Sequence, residues 1–220
     1  MALDNQTIVA TAVLKITDEF HGLGDVAWYD SAYFMTAGGF QPLWGKAYKY
    51  FDFKTVYLVA FAIFEVGSLF CAATPNSAAF VVGRAIAGIG AGGIVSGGYT
   101  LLAFTAEPKR RLMFTDVIGA AYGTASVAPL RGGAFTDRIS WRWCFYINLP
   151  LGGVSALIII FFFHTLKQAR PAKAIFKGKL LQMDPIGVAL LVGAVIAFIV
   201  AMQAGGQTDS WRSGKVIGLL

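Results

Sequence analysis

Charge is what this 220-residue chain has least of. Asp, Glu, Lys and Arg make up 14% of it and 56% is hydrophobic, whereas a soluble domain carries about 25% charged residues. That deficit argues against an ordinary soluble globular domain and points to a membrane environment. Histidine is also scarce. The two present, His21 and His164, lie far apart in the chain, so no metal is expected. With no nucleophile motif either, the residues argue against an integral-membrane enzyme, and no cofactor is implied. The two cysteines, Cys71 and Cys144, stand near the ends of apolar runs. They imply no disulfide framework and read as buried, inert thiols. The N-terminus lacks a basic region and a small-residue cleavage site, and Asp4 interrupts its apolar run, so no cleavable signal peptide is read. Gly88 to Gly93 fits the spacing G-x-G-x-x-G. No strand is legible before it and no acid stands about 20 residues after it, so dinucleotide binding is set aside.

Long apolar runs are what is abundant. A helix needs about 20 residues to cross a bilayer, and six runs of suitable length cover residues 27–45, 56–73, 78–102, 113–135, 143–163 and 185–203. A shorter run covers 1–16 and another begins near 216. The expected fold class is therefore an all-α integral membrane protein. Turn signals separate the runs. Thr74-Pro75-Asn76-Ser77 predicts a short loop with an N-cap, Asp184-Pro185 an N-cap with a first-turn proline, and Ala204-Gly205-Gly206 a helix end.

The net charge of +6 is unevenly spread. Eleven of the 18 Lys and Arg residues fall in three loops: Lys46, Lys49 and Lys54; Lys109, Arg110 and Arg111; and five between Lys167 and Lys179. The alternate loops carry five, and Arg84 and Arg131 lie inside runs. The positive-inside rule makes the first set cytoplasmic. Basic loops on one side suit an anionic lipid surface, and no nucleic-acid partner is expected.

Several motifs go further. Leu3-Asp4-Asn5-Gln6-Thr7-Ile8-Val9 places an acid in the first run, where a charge is costly and usually functional. Gly45, Lys46, Lys49, Asp52 and Lys54 form a basic loop. Arg84 precedes Gly88 and Gly90 in an apolar run, and Gly119, Gly123, Pro129, Gly132 and Gly133 mark another, which also holds Arg131. Asp30 and Glu65 are further acids in apolar runs; Asp30 could pair with Arg84 or Arg131. Tyr29, Tyr33, Phe34 and Trp44 could line an aromatic pocket or serve as interfacial and packing residues. Before the 143–163 run stands Trp141-Arg142-Trp143-Cys144-Phe145-Tyr146-Ile147-Asn148-Leu149-Pro150.

These strings together resemble the N-terminal half of major facilitator drug:proton antiporters, the fungal fourteen-span efflux branch. The resemblance implies a major facilitator fold with an N-terminal helix bundle plus one linker span. Residues 1–163 would be the bundle, 164–184 a basic cytoplasmic loop, and 185–220 a seventh span with the start of an eighth. It also implies a chain truncated at both ends. Asp4, Arg84, Asp30 and Arg131 become candidates for proton coupling, and the 45–54 loop a conformational latch. In that loop Lys49 stands where the family has an acid, Asp52 where it has glycine and Phe53 where it has arginine. Gly88, Gly90, Gly119, Gly123, Pro129, Gly132 and Gly133 become helix-packing and antiporter-motif positions. Ala128 replaces a family glycine, and the string is one residue short. The implied function is proton-coupled efflux of a small apolar molecule (a secondary metabolite, toxin or drug) across a plasma, vacuolar or vesicular membrane. Implied partners are the bilayer, the substrate, protons, and a C-terminal half or a second copy. A non-functional truncated paralogue, an incomplete gene model and a nutrient importer of the same fold stay open as alternatives.

Overall fold

The computed structural model describes residues 12–13, 15–20, 23–105, 109–125, 140–162, 184–205 and 210–219. Asp4, Pro129, Arg131, Gly132 and Gly133 lie outside the described residues, as do most of the 1–16 run and of the 164–184 loop. Regular structure among the described residues is helical. A 3-10 turn, Leu23–Asp25, leads into α1 (Val26–Tyr50), followed by α2 (Phe53–Ala73), α3 (Ser77–Thr105) and α4 (Arg111–Ala125). Then come α5 (Trp143–Tyr146), α6 (Asn148–Phe162), α7 (Pro185–Ala204) and α8 (Gly214–Leu219). Four stretches are long and apolar enough to cross a membrane: Phe53–Ala73, Ser77–Phe104, Trp143–Phe161 and Ile186–Ala204. The helix α1 falls outside that set because Asp30, Lys46, Lys49 and several hydroxyl-bearing residues dilute its apolar character. Only 15 residues of α4 are described.

Side-chain caps begin three helices, two of them, at Asn76 and Asp184, where the sequence expects them. The Asp52 carboxylate accepts from Thr55 N at 3.1 Å and opens α2, and the Asn76 carbonyl accepts from Ala79 N at 2.8 Å and opens α3. Asp184 accepts from Gly187 N at 3.0 Å, with Pro185 in the first turn of α7. Each satisfies a backbone donor that the first helical turn leaves without a partner. Asp184 does so at φ 51°, in the left-handed region, a conformation that Asp tolerates better than most residues. At the other end of α7, Gly205 N donates to Ala201 O at 2.8 Å and the chain turns away.

The helix α3 is the centre of the bundle, packed against α1 on one side and α2 on the other. Three apolar clusters follow its length. At the end away from the basic loops, Tyr29, Cys71, Phe80, Trp141, Cys144 and Phe145 pack together. Phe80 there meets Trp141 and Phe145 edge-on, at 5.8 and 5.5 Å between centroids. Tyr33, Phe64, Ala87 and Ala91 fill the middle, and Trp44, Tyr48, Phe53, Val56 and Ala60 the basic end. The helix α6 runs antiparallel to α2, and α7 lies along α1.

Candidate functional site: a buried arginine in a zipped helix seam

The seam between α1 and α3 is built from small residues on one helix and donors on the other. Gly88 faces the Tyr33 carbonyl and Thr36 hydroxyl so closely that a Cβ would collide with both. At Gly90 a Cβ would lie 2.6 Å from Ala60 O of α2. Both positions therefore admit only glycine at this spacing, as small-residue packing in membranes requires. Across the seam, Thr36 Oγ1 donates to Ala85 O at 2.8 Å, Trp44 Nε1 to Ile89 O at 2.8 Å and Tyr48 Oη to Gly93 O at 2.8 Å. The acceptors stand one helical turn apart, so three side chains of α1 lace a single stripe of α3 carbonyls.

Arg84 immediately precedes Ala85, the first acceptor of the laced stripe. Its side chain is 0% exposed and is the largest fully buried one among the described residues. Nε donates to Tyr29 O at 2.8 Å, one terminal nitrogen donates to Asp30 Oδ1 at 3.2 Å, and the guanidinium lies 4.3 Å from the Tyr33 ring centroid. The other terminal nitrogen is buried, with no hydrogen-bond partner among the described residues. The Asp30 side chain is 42% exposed. The pair thus joins a fully desolvated cation to a carboxylate that meets the outside of the bundle. From Tyr29 a polar chain continues outward: its hydroxyl lies 3.0 Å from Ser77 Oγ, which donates to Asp25 Oδ2 at 2.6 Å. Of the two partners open to Asp30, the structure brings Arg84 to it. Of the two roles open to the aromatic residues of α1, packing describes most of them. Tyr29, Tyr33 and Trp44 are buried against neighbouring helices, and Phe34 is 52% exposed.

Residues 45–54, expected as a loop, are the last turns of α1 to Tyr50, a two-residue link and the start of α2, since Lys and Ala carry the helix past its apolar run, and they tie these to the ends of α6 and α7. Lys46 lies 3.6 Å from Asp184 at the start of α7. Asp52 caps α2, and Lys54 Nζ donates to Ile160 O at 2.6 Å in the last turn of α6. Lys49 stands over the Tyr50 ring at 5.3 Å, and a Cβ on Gly45 would meet nothing within 4 Å. On α4 a Cβ at Gly119 or Gly123 would likewise meet open space, and Leu112, Met113, Phe114 and Val117 are exposed beside them.

At the opposite end sequence reasoning missed a polar clasp. Trp141 Nε1 donates to Glu19 Oε2 at 2.5 Å, and Arg142 lies 2.8 Å from Glu19 Oε1. Arg142 also donates to Thr74 O at 3.3 Å and stacks on the Trp141 ring at 4.6 Å. The Trp141 hydrogen bond, with help from Arg142, holds the Glu19 carboxyl below its usual range against a smaller opposing effect of burial. The Trp-Arg-Trp string was conspicuous in the sequence, but nothing in it pointed to Glu19, 122 residues away.

These features define a polytopic helical membrane protein with a charge pair inside its bundle. Residues 1–213 match the model of the Major Facilitator Superfamily, and the chain belongs to that family. Among individual proteins it is 60% identical over 217 residues to the MFS-type transporter grgE of a Penicillium species, covering 98% of this chain and 38% of the relative. It is 54% identical to the probable efflux pump gsfJ of Penicillium aethiopicum, covering 100% and 39%. To the rubrofusarin-specific efflux pump aurT of Gibberella zeae it is 47% identical, covering 100% and 40%. The chain thus spans about two fifths of the length of these curated relatives.

Proposed function

We propose that this chain forms one helix bundle of a proton-coupled exporter of small apolar molecules, a secondary metabolite, toxin or drug, in a fungal plasma membrane. It is a transporter bundle and not an enzyme. A further bundle, from a C-terminal segment like those of the longer relatives or from a second copy, completes the cavity. The observation that carries the proton coupling is the asymmetry of the Asp30–Arg84 pair, 42% against 0% exposed. A proton reaches Asp30 from the solvated side. Once Asp30 is neutral, the buried guanidinium loses its counter-charge, a costly state in a desolvated seam. The seam then favours whichever conformation offers Arg84 another partner, and proton binding shifts the two populations through that difference. The names of the relatives supply the direction of transport, and efflux is preferred to uptake on that ground. Vacuolar and vesicular membranes are the alternative sites.

The test is transport by proteoliposomes holding the full chain, with a fluorescent apolar substrate and an imposed pH gradient. Gradient-driven export that is lost in Asp30→Asn and in Arg84→Lys is the expected result. Export that persists in both variants, or uptake in place of export, overturns the reading.

A further inference from the structure

The seam between α2 and α6 holds polar atoms that nothing above uses. Lys54 bonds Ile160 at the basic end of this antiparallel pair, and Gly152 abuts Glu65 further along, where a Cβ would collide with Oε1. Continuing that register by a turn brings Ser68 of α2 level with Asn148 of α6. Glu65 and Ser68 share a face of α2, three residues apart, and Asn148 and Gly152 share a face of α6, four apart. Ser68 is 0% and Asn148 2% exposed. Both Glu65 oxygens, Ser68 Oγ and Asn148 Nδ2 are buried, and none has a hydrogen-bond partner among the described residues.

Four such atoms in one seam require an explanation, since buried polar groups are almost always paired with protein, water or an ion. The group is chemically mixed: two carboxylate oxygens accept, a hydroxyl accepts and donates, and a carboxamide nitrogen donates. A water among them finds the several polar partners that buried water needs. Glu65 lies in the middle of α2, one of the stretches able to cross a membrane, where an unpaired carboxylate is far more expensive than its protonated form. The helix α6 contributes no titratable side chain. On α2 the ionisable side chains besides Glu65 are Lys54, held by Ile160, Tyr57 and Cys71. On α5 they are Cys144 and Tyr146. On α3 they are Tyr99 and Arg84, the latter turned toward α1 and Asp30. On α1, Tyr48 is bonded to Gly93.

We propose that Glu65, Ser68 and Asn148 form a second, membrane-embedded proton site, in which Glu65 takes up the proton and water links it to the other two. Uptake makes one O–H bond on Glu65 and breaks one on an incoming hydronium, which leaves as water, and the site passes from one negative charge to none. The site is separate from Asp30 and Arg84, because Phe64, the neighbour of Glu65, points into the α3 seam where those two lie. It does not depend on the direction or substrate of transport.

Infrared difference spectra of the full chain in lipid nanodiscs, titrated from about pH 5 to 9, the range in which buried glutamates change state, test it. We expect a carboxylic-acid C=O band that titrates, survives Asp30→Asn and is missing from Glu65→Gln. Ser68→Ala and Asn148→Leu should each move its midpoint by about one pH unit or more, because they remove groups that discriminate between its two protonation states. A band unchanged by Glu65→Gln overturns the proposal. So does a midpoint unmoved in both Ser68→Ala and Asn148→Leu, which also serve if the Gln variant fails to fold.

Discussion

At Arg84 a guanidinium is held by a backbone carbonyl, a carboxylate and an aromatic face at once. Loss of the carboxylate leaves the cation desolvated and short of a counter-charge. Removing one member of a fully buried pair costs about 3–5 kcal/mol. Asp30 is 42% exposed, and water replaces part of what it supplied, so Asp30→Ala should destabilise the chain by about 1–3 kcal/mol. Asp30→Asn should cost less, because the amide oxygen still accepts from Arg84. Thermal unfolding in detergent ranks the two, and equal losses would contradict a contribution from that hydrogen bond. Gly88 is the complementary case, set by space rather than charge. A Leu there must displace Tyr33 and Thr36 of α1, and overpacking at a close helix contact costs about 1–3 kcal/mol or more. Gly88→Leu should therefore lower the yield of folded, monodisperse protein, while Gly119→Leu on the open face of α4 should not.

Individual helices differ in how they are fastened, and α7 shows this best. It carries no charged residue from Pro185 to Ala204, yet polar contacts hold it at both ends. Asp184 caps its start and pairs with Lys46, while Gln203 Nε2 bonds Ser31 Oγ at 2.6 Å and Ala27 O at 3.2 Å. Asp184→Ala removes the cap and the ion pair and should cost about 1 kcal/mol. Lys46→Ala removes an exposed pair and should cost less, with an effect that shrinks in salt. Hydrogen exchange over the first turn of α7 measures both. This is also the scale at which the sequence was most legible. Asn76 and Asp184-Pro185 are local signals, and each begins a helix where the sequence predicts one. The side-chain lacing of α1 to α3 was not legible. It depends on which face of α1 carries Thr36, Trp44 and Tyr48, and on carbonyls 45 and more residues away. Arg84 stood out as a charge in an apolar run, whereas its choice of Asp30 needed the fold.

Across the whole molecule, the two ends are closed by different chemistry. The basic end is gathered by residues 45–54, and the other by the clasp of Glu19, Trp141, Arg142 and Thr74. Because the folded-state pKa of Glu19 is lowered, its contribution to stability is present above the ordinary glutamate range and is lost as the pH falls through the lowered value. Acidification should therefore speed hydrogen exchange over 140–146, and Glu19→Gln should remove that pH dependence. A rise in exchange on alkalinisation would contradict the sign. A further consequence comes from the long separation of the α1–α7 contact. Gln203 meets its partners on α1 172 and 176 residues after they are made. At a translation rate of about 5–20 residues per second, that face of α1 waits roughly 10–35 s before α7 is synthesised. During that interval Ser31 presents its hydroxyl to lipid or to the insertion machinery. A helix made late thus covers a face made early, and a ribosome stalled before Gln203 leaves that face of α1 without its cover, a difference that membrane quality control can read.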